Sequence, residues 1–326
     1  MTRLYFILRG DNEPLARGEL RALLEVFGVN TNIECYTMIC TTAHTSSADI
    51  AGEIMSRAGY IREAGVLIGV FDAYSEKSAV EVSRIISNGR VHVSVFKSTV
   101  SDRVVKSFIE TGGLKHGSNV EYRLLFSNGL VFLGLVKHRA SYKQLELRAR
   151  GKPFKRSIEL TPELARVLIN LSRARKGDLL LDPFAGTGVV LIEAWSMGIR
   201  GIGVDVDSII ARGMRENISY FSANSIVLLG DSRALTYKNI DHVVTDLPYG
   251  RGASTHRVAV KTLYREFLDK LAEYLTRNGY AVFMTPHWLE EYVDEILPEY
   301  GLKITERYYD YVHSSLTRVI NVARLI

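Results

Sequence analysis

The chain is short of cysteine, glutamine and long apolar runs, and each shortage removes a class of protein. Its two cysteines, Cys35 and Cys40, are too few for a disulfide framework or a four-ligand metal site. Read from sequence alone they are unpaired thiols on or near a strand. No stretch approaches the roughly 18 apolar residues of a membrane span. The opening "MTRLYFILRGDNEP" has neither a long apolar segment nor a small-residue cleavage site. The expectation is a cytoplasmic protein with no membrane association. Gln144 is the single glutamine, a depletion of thermolabile amides that fits a thermophilic source. His44, His92, His116 and His138 are scattered through the first half without clustered acids, so no metal site is expected there.

What is present is enough for two ordinary folded domains. The chain has 326 residues, 47% hydrophobic and 24% charged, and length alone favours two cores. Net charge is +5 and the pI is about 9.0. Position matters more than the total. From Lys137 to Arg156 eight basic residues (Lys137, Arg139, Lys143, Arg148, Arg150, Lys152, Lys155, Arg156) face one acid, Glu146. That run reads either as a solvated linker or as a contact for a polyanion such as nucleic acid.

The two halves have different grammars. Residues 1–142 alternate short β-like runs with amphipathic stretches, an α+β pattern. "PLARGELRALLEVFG" reads as a helix closed by Gly28, and "IECYTMICTTA" as one strand. "NVEYRLLFS" and "LVFLGLVKH" flank "NG", a strong hairpin signal. Residues 143–158 form the basic linker. From 159 to 326 a helix beginning at Thr161, with Pro162 in its first turn, leads into strict alternation of apolar strands and helices. That pattern predicts an α/β domain with a mainly parallel sheet covered on both faces. "HWLEEYVDEILPEYG" reads as its last helix. "KITERYYDYV" and "LTRVINVARL" read as a C-terminal hairpin at the sheet edge.

In such a sheet ligands bind beyond the carboxyl ends of the strands. The first strand of the second half runs into "LLLDPFAGTGVVLIEAW". Gly186 and Gly188 permit a tight turn, with Phe184 beside them, but position 191 is Leu191, where a dinucleotide fingerprint needs a third glycine. Asp182 stands where a pyrophosphate would be repelled. An acid there suits a cationic ligand, and S-adenosylmethionine carries an ammonium and a sulfonium without phosphate. Asp182 is expected at its amino group. Asp205, with Val206, is expected at the ribose hydroxyls, and Asp231, with Ser232, near the adenine. Taken singly, each aspartate also fits a helix cap or turn.

The fourth strand ends in "TDLPYG". Together with "DPFAGTG" this resembles the S-adenosylmethionine-dependent methyltransferases of exocyclic amines, whose fourth strand ends in (Asp/Asn/Ser)-Pro-Pro-(Tyr/Phe/Trp). "KPFKRSIELTPELARVLINL" and "VHSSLTRVI" are similar to the archaeal tRNA guanosine-10 N2-methyltransferases and their eukaryotic catalytic homologues. The resemblance implies a seven-stranded Rossmann-like methyltransferase sheet after an N-terminal module whose THUMP domain, about residues 45–140, docks tRNA. It implies methylation of a guanosine N2 amine in tRNA, with some relatives acting alone and others helped by a small zinc-binding activator protein; the default expectation is a monomeric catalytic chain. Asp246 and the Leu247 carbonyl would accept from the amine, Pro248 would stiffen the turn, and Tyr249 would stack on the base. Leu247 departs from the family's usual proline. Arg251 and His256, just downstream, are expected at RNA phosphate or in a ligand-ordered loop. The alternatives are N6-adenine methylation of DNA or RNA, which uses the same clamp, and a non-catalytic RNA-binding subunit. A nicotinamide oxidoreductase is opposed by the missing third glycine. Cytosine C5 methylation is opposed by the lack of a cysteine near the motif.

Overall fold

In the computed structural model the described residues are 2–43, 45, 49–86, 90–96, 100–112, 120–249 and 260–326. The chain divides into two compact units, Met1–Ala140 and Ser141–Ile326. Arg251 and His256 lie outside the described residues, as do His44 and His116.

The first unit runs β1 (Leu4–Leu8), α1 (Glu13–Val26), β2 (Ile33–Tyr36), β3 (Ile39–Thr42), α2 (Ile50–Arg57), β4 (Ile61–Asp72), α3 (Glu76–Ile85), β5 (Arg90–Val95), α4 (Asp102–Gly112), β6 (Glu121–Ser127) and β7 (Leu130–Arg139). Its seven strands pair in the order β2-β3-β1-β4-β7-β6-β5, antiparallel except for β5 beside β6. Local chemistry explains the boundaries. The Asn12 side chain accepts from Leu15 N at 3.3 Å to cap α1. Asn128 and Gly129 take positive φ of 50° and 79°, as the "NG" hairpin between β6 and β7 requires. The Tyr5 ring fills the space over two glycines, since a Cβ at Gly134 would sit 2.3 Å from it. Its hydroxyl donates to Glu63 at 2.9 Å, and that buried carboxylate also accepts from Arg123 and Arg139.

One expectation is corrected here. "IECYTMICTTA" is two strands, β2 and β3, reversed at Thr37–Met38 with Thr37 at φ 51°. Neither residue is a usual turn former, so the turn leaves no signal in the side chains. The reversal sets Cys35 opposite Cys40 in the ladder, and the pair forms a disulfide with Cα atoms 4.1 Å apart. The cysteines are bonded to each other, not unpaired thiols.

The second unit opens with α5 (Tyr142–Gly151), which takes up much of the basic stretch. It continues α6 (Pro162–Leu171), β8 (Leu179–Asp182), α7 (Val189–Ser196), β9 (Arg200–Asp205), α8 (Ser208–Tyr220), β10 (Ser225–Leu229), β11 (Ile240–Asp246), α9 (Val260–Tyr274), β12 (Leu275–Pro286), α10 (Glu290–Ile296), β13 (Leu302–His313) and β14 (Leu316–Leu325). The strand order is β10-β9-β8-β11-β12-β14-β13, so β8 to β12 form a parallel Rossmann-like sheet and β14 enters antiparallel. Strand order reverses between β8 and β11, which opens a crevice at their carboxyl ends. Thr161 Oγ1 accepts from Leu164 N at 3.2 Å and starts α6 as its sequence predicts. The expected last helix is shorter than its pattern. Short 3₁₀ turns at His287–Leu289 and Leu297–Tyr300 flank α10, the second holding Pro298, which cannot continue an α-helix. The apolar core between β11, β12 and α9 includes Phe267, Phe283, Tyr264 and Leu271.

Candidate active site

The crevice is a cleft of about 710 Å³, lined by the ends of β8, β9, β10 and β11 and by the β13–β14 turn. Every expected site residue except Gly188 lines it: Asp182, Phe184, Gly186, Asp205, Val206, Asp231, Ser232, Asp246, Leu247, Pro248 and Tyr249. Gly188 stands behind. At φ 83° it caps α7, and a Cβ there would meet Met214 at 2.9 Å, so it shapes the loop without facing the cleft.

The carboxylates differ in their surroundings. Asp182, 2% exposed, accepts from Thr245 Oγ1 at 2.8 Å and from Phe184 N at 3.2 Å. Burial, with Asp246 and Asp205 nearby, pushes its carboxyl up to about 7. Asp205 is half-buried and braces the glycine loop, accepting from Gly186 N at 3.2 Å and from Asp207 N at 2.9 Å. Asp231 carries Arg233, whose Nε lies 2.8 Å from Oδ1 and whose Nη1 reaches Glu266 at 2.7 Å. Asp246 ends β11 half-buried, with Oδ1 accepting from the Tyr249 hydroxyl. Burial pushes it up to about 6 and pushes the Tyr249 phenol well above its ordinary range. The Leu247 side chain is 1% exposed and belongs to the apolar core under the cleft.

The sequence left several contributors unmarked. Lys152 is buried, with Nζ 2.7 Å from Glu159 Oε2, and Thr187 of the glycine loop donates to that same oxygen at 2.8 Å. Asn217 donates to the carbonyls of Phe154 and Thr187, each at 2.9 Å, and accepts from Phe154 N at 2.9 Å. These bonds strap residues 152–160 against the glycine loop, and Arg156 to Leu160 form a cleft wall. "KPFKRSIEL" carries the strap, but its lysine reads from sequence as one more linker cation. Trp288 and His313 also line the cleft.

S-adenosylmethionine fits these residues on one observation. Asp182 is buried with a hydroxyl and an amide for partners and is drawn toward protonation, the state of a carboxylate lacking a cation. An ammonium supplies that cation.

A family model described as RMKL-like, methyltransferase domain, matches residues 150–319. The chain is 29% identical to the tRNA (guanine(10)-N2)-dimethyltransferase of Methanocaldococcus jannaschii, across 98% of this chain and 99% of that relative. It is 41% identical over 179 residues to the protein of the same name from Methanothermobacter thermautotrophicus, a match spanning 54% of this chain and about half, 52%, of that relative. Among solved structures, TrmN from Thermus thermophilus is similar in fold, with a TM-score of 0.58 and 17% identity over 99% of this chain and 100% of that one. The chain belongs to the family defined by the RMKL-like methyltransferase domain, and along nearly its whole length it is similar to archaeal proteins named tRNA (guanine(10)-N2)-dimethyltransferase.

Proposed function

We propose that this protein methylates the exocyclic N2 amine of guanosine 10 in tRNA, adding two methyl groups in turn, with S-adenosylmethionine as donor. The observation that carries the reading is the convergence of Asp182, Asp205 and Asp246, from three adjacent strands, on one cleft that also holds Tyr249. The full-length likeness to proteins named as dimethyltransferases supports the substrate and the second methyl.

In this reading Asp182 holds the donor's ammonium, Asp205 its ribose hydroxyls, and Asp231 with Ser232 the adenine edge, against Val206 and Phe184. The donor supplies an electrophilic methyl carbon on a sulfonium. The chain's task is then placement. A guanine amine is a weak nucleophile because its lone pair is delocalised into the ring. Two acceptors aimed at its N–H bonds return electron density to nitrogen, and Asp246 and the Leu247 carbonyl provide them. Alignment within about 3–3.5 Å of the methyl carbon supplies much of the rate. As the amine is methylated it acidifies, and Asp246 accepts the released proton. The target base leaves its stack to reach this depth and lies against Tyr249, with Pro248 stiffening the approach. The first unit, of THUMP type, docks the tRNA, and the catalytic chain works as a monomer.

The test is incubation with isotope-labelled donor and separate tRNA and DNA pools, followed by digestion to nucleosides. Labelled N2-methylguanosine and N2,N2-dimethylguanosine from tRNA are expected. Methyladenosine as the sole product would overturn the substrate.

A further inference from the structure

A buried cation stands behind the clamp, and the reading above gives it no task. Arg318 lies on β14, opposite Asp310 of β13 on one side and Pro286 of β12 on the other. Its Nη1 is 3.5 Å from Asp310 Oδ2. The side chain is nine-tenths buried and its Nε has no hydrogen-bond partner. Pro286 stands two residues beyond Met284, the cross-strand neighbour of Asp246, so Arg318 is level with the loop that carries Tyr249, and its charge acts on Tyr249 and Asp246 from two strands away. Withdrawing a guanidinium from water with an incomplete set of partners is costly. A hydrophobic residue at this position of β14 would pack without that cost.

The groups facing Asp246 come from five places. Tyr249 donates from the following loop, Tyr264 presents a buried hydroxyl from α9, and Asp182 approaches from β8. Asp310 of β13 and Arg318 of β14 complete the set. Two of these neighbours are acids: Asp310 favours the protonated form of Asp246, and Asp246 in turn favours the protonated form of Asp182. A protonated acid donates a hydrogen bond and loses its value as an acceptor for an amine N–H. Arg318 opposes the effect of Asp310 on Asp246, and the same Asp310 anchors it there.

We propose that Arg318, anchored by Asp310, is a positioning residue: it braces the Tyr249–Asp246 hydrogen bond from behind and keeps Asp246 a carboxylate for the incoming amine. This inference rests on the functional reading above.

The experiment is the pH dependence of kcat/KM for tRNA at saturating donor, measured for wild type, Arg318→Met, Arg318→Lys and Asp310→Asn. Donor affinity is measured alongside by calorimetry with S-adenosylmethionine. Removing the cation moves the acidic limb of the Arg318→Met profile upward by about one pH unit, and Arg318→Lys restores most of that shift. Asp310→Asn removes an acid and the anchor of Arg318 together, so its limb moves by less than that of Arg318→Met. Donor affinity stays within about twofold of wild type in all three. A merely structural role moves plateau height and donor affinity and leaves the limb where it is. An unmoved limb in Arg318→Met, or a shift that Arg318→Lys does not restore, overturns the proposal while wild-type transfer upholds the functional reading. Should Arg318→Met fail to fold, Arg318→Gln takes its place, with the same upward shift expected and an unmoved limb overturning the proposal. A wild type that transfers no methyl group to tRNA overturns the functional reading and this inference together.

Discussion

Asp182 and Asp246 are both pulled toward protonation by burial, yet the chemistry asks each to be a carboxylate. For Asp246 the consequence is direct. Asp246→Asn keeps the shape and replaces an anionic acceptor by an amide, so single-turnover methyl transfer falls about 10²–10³-fold while tRNA affinity measured by filter binding is unchanged. For Asp182 the consequence is linkage. Its folded value of about 7 lies above the ordinary aspartate value near 3.9. The group therefore contributes stability that is fully present below about pH 4 and is lost as pH rises through 7. A bound ammonium offsets that loss, so the rise in melting temperature on adding S-adenosylmethionine is larger at pH 8 than at pH 5.5. Equal shifts at the two pH values would contradict the placement of Asp182. These acids were legible in the sequence because each closes an apolar run where a strand must stop. Arg318 lies inside "VHSSLTRVI", yet its task was not legible, because its neighbourhood joins positions some 70 residues apart.

At the level of elements, the departure at Leu247 has a physical account. The proposed clamp asks for a backbone carbonyl here and leaves the side chain to packing, and Leu247 packs into the core between β11, β12 and α9. Leu247→Ala opens a cavity and costs about 2–4 kcal/mol by chemical denaturation. The strap over residues 152–160 gives a second prediction. Lys152→Met removes the cation that joins Glu159 and Thr187, loosening a wall of the donor site. The dissociation constant for S-adenosylmethionine rises about tenfold, with tRNA affinity unchanged. Sequence periodicity found α6, α8, α9 and the parallel strands because their apolar faces are continuous. It gave one strand where β2 and β3 stand, since Thr37–Met38 bears no turn signature, and one long helix around α10, since apolar spacing continues across Pro298.

At the scale of the whole molecule, the basic stretch means something different in three dimensions. Arg148 pairs with Glu193, Arg150 with Glu146 and Lys152 with Glu159, while Arg139 meets Glu63 and Glu121. Much of the strip is thus neutralised within the protein. No such ion pair engages Lys143 or Arg156 among the described residues. Replacing both by alanine flattens the log–log dependence of tRNA affinity on salt by about one to two, whereas Arg148→Ala leaves the slope unchanged. That separation was invisible in composition, which counts charges and not their partners. The account as a whole stands on an amine gripped in the cleft. The most direct measurement is methyl incorporation into two tRNA transcripts identical except at position 10, one with guanosine and the other with inosine, which lacks the N2 amine. Up to two methyl groups per guanosine transcript and none on the inosine transcript are expected. Equal incorporation into both would contradict it.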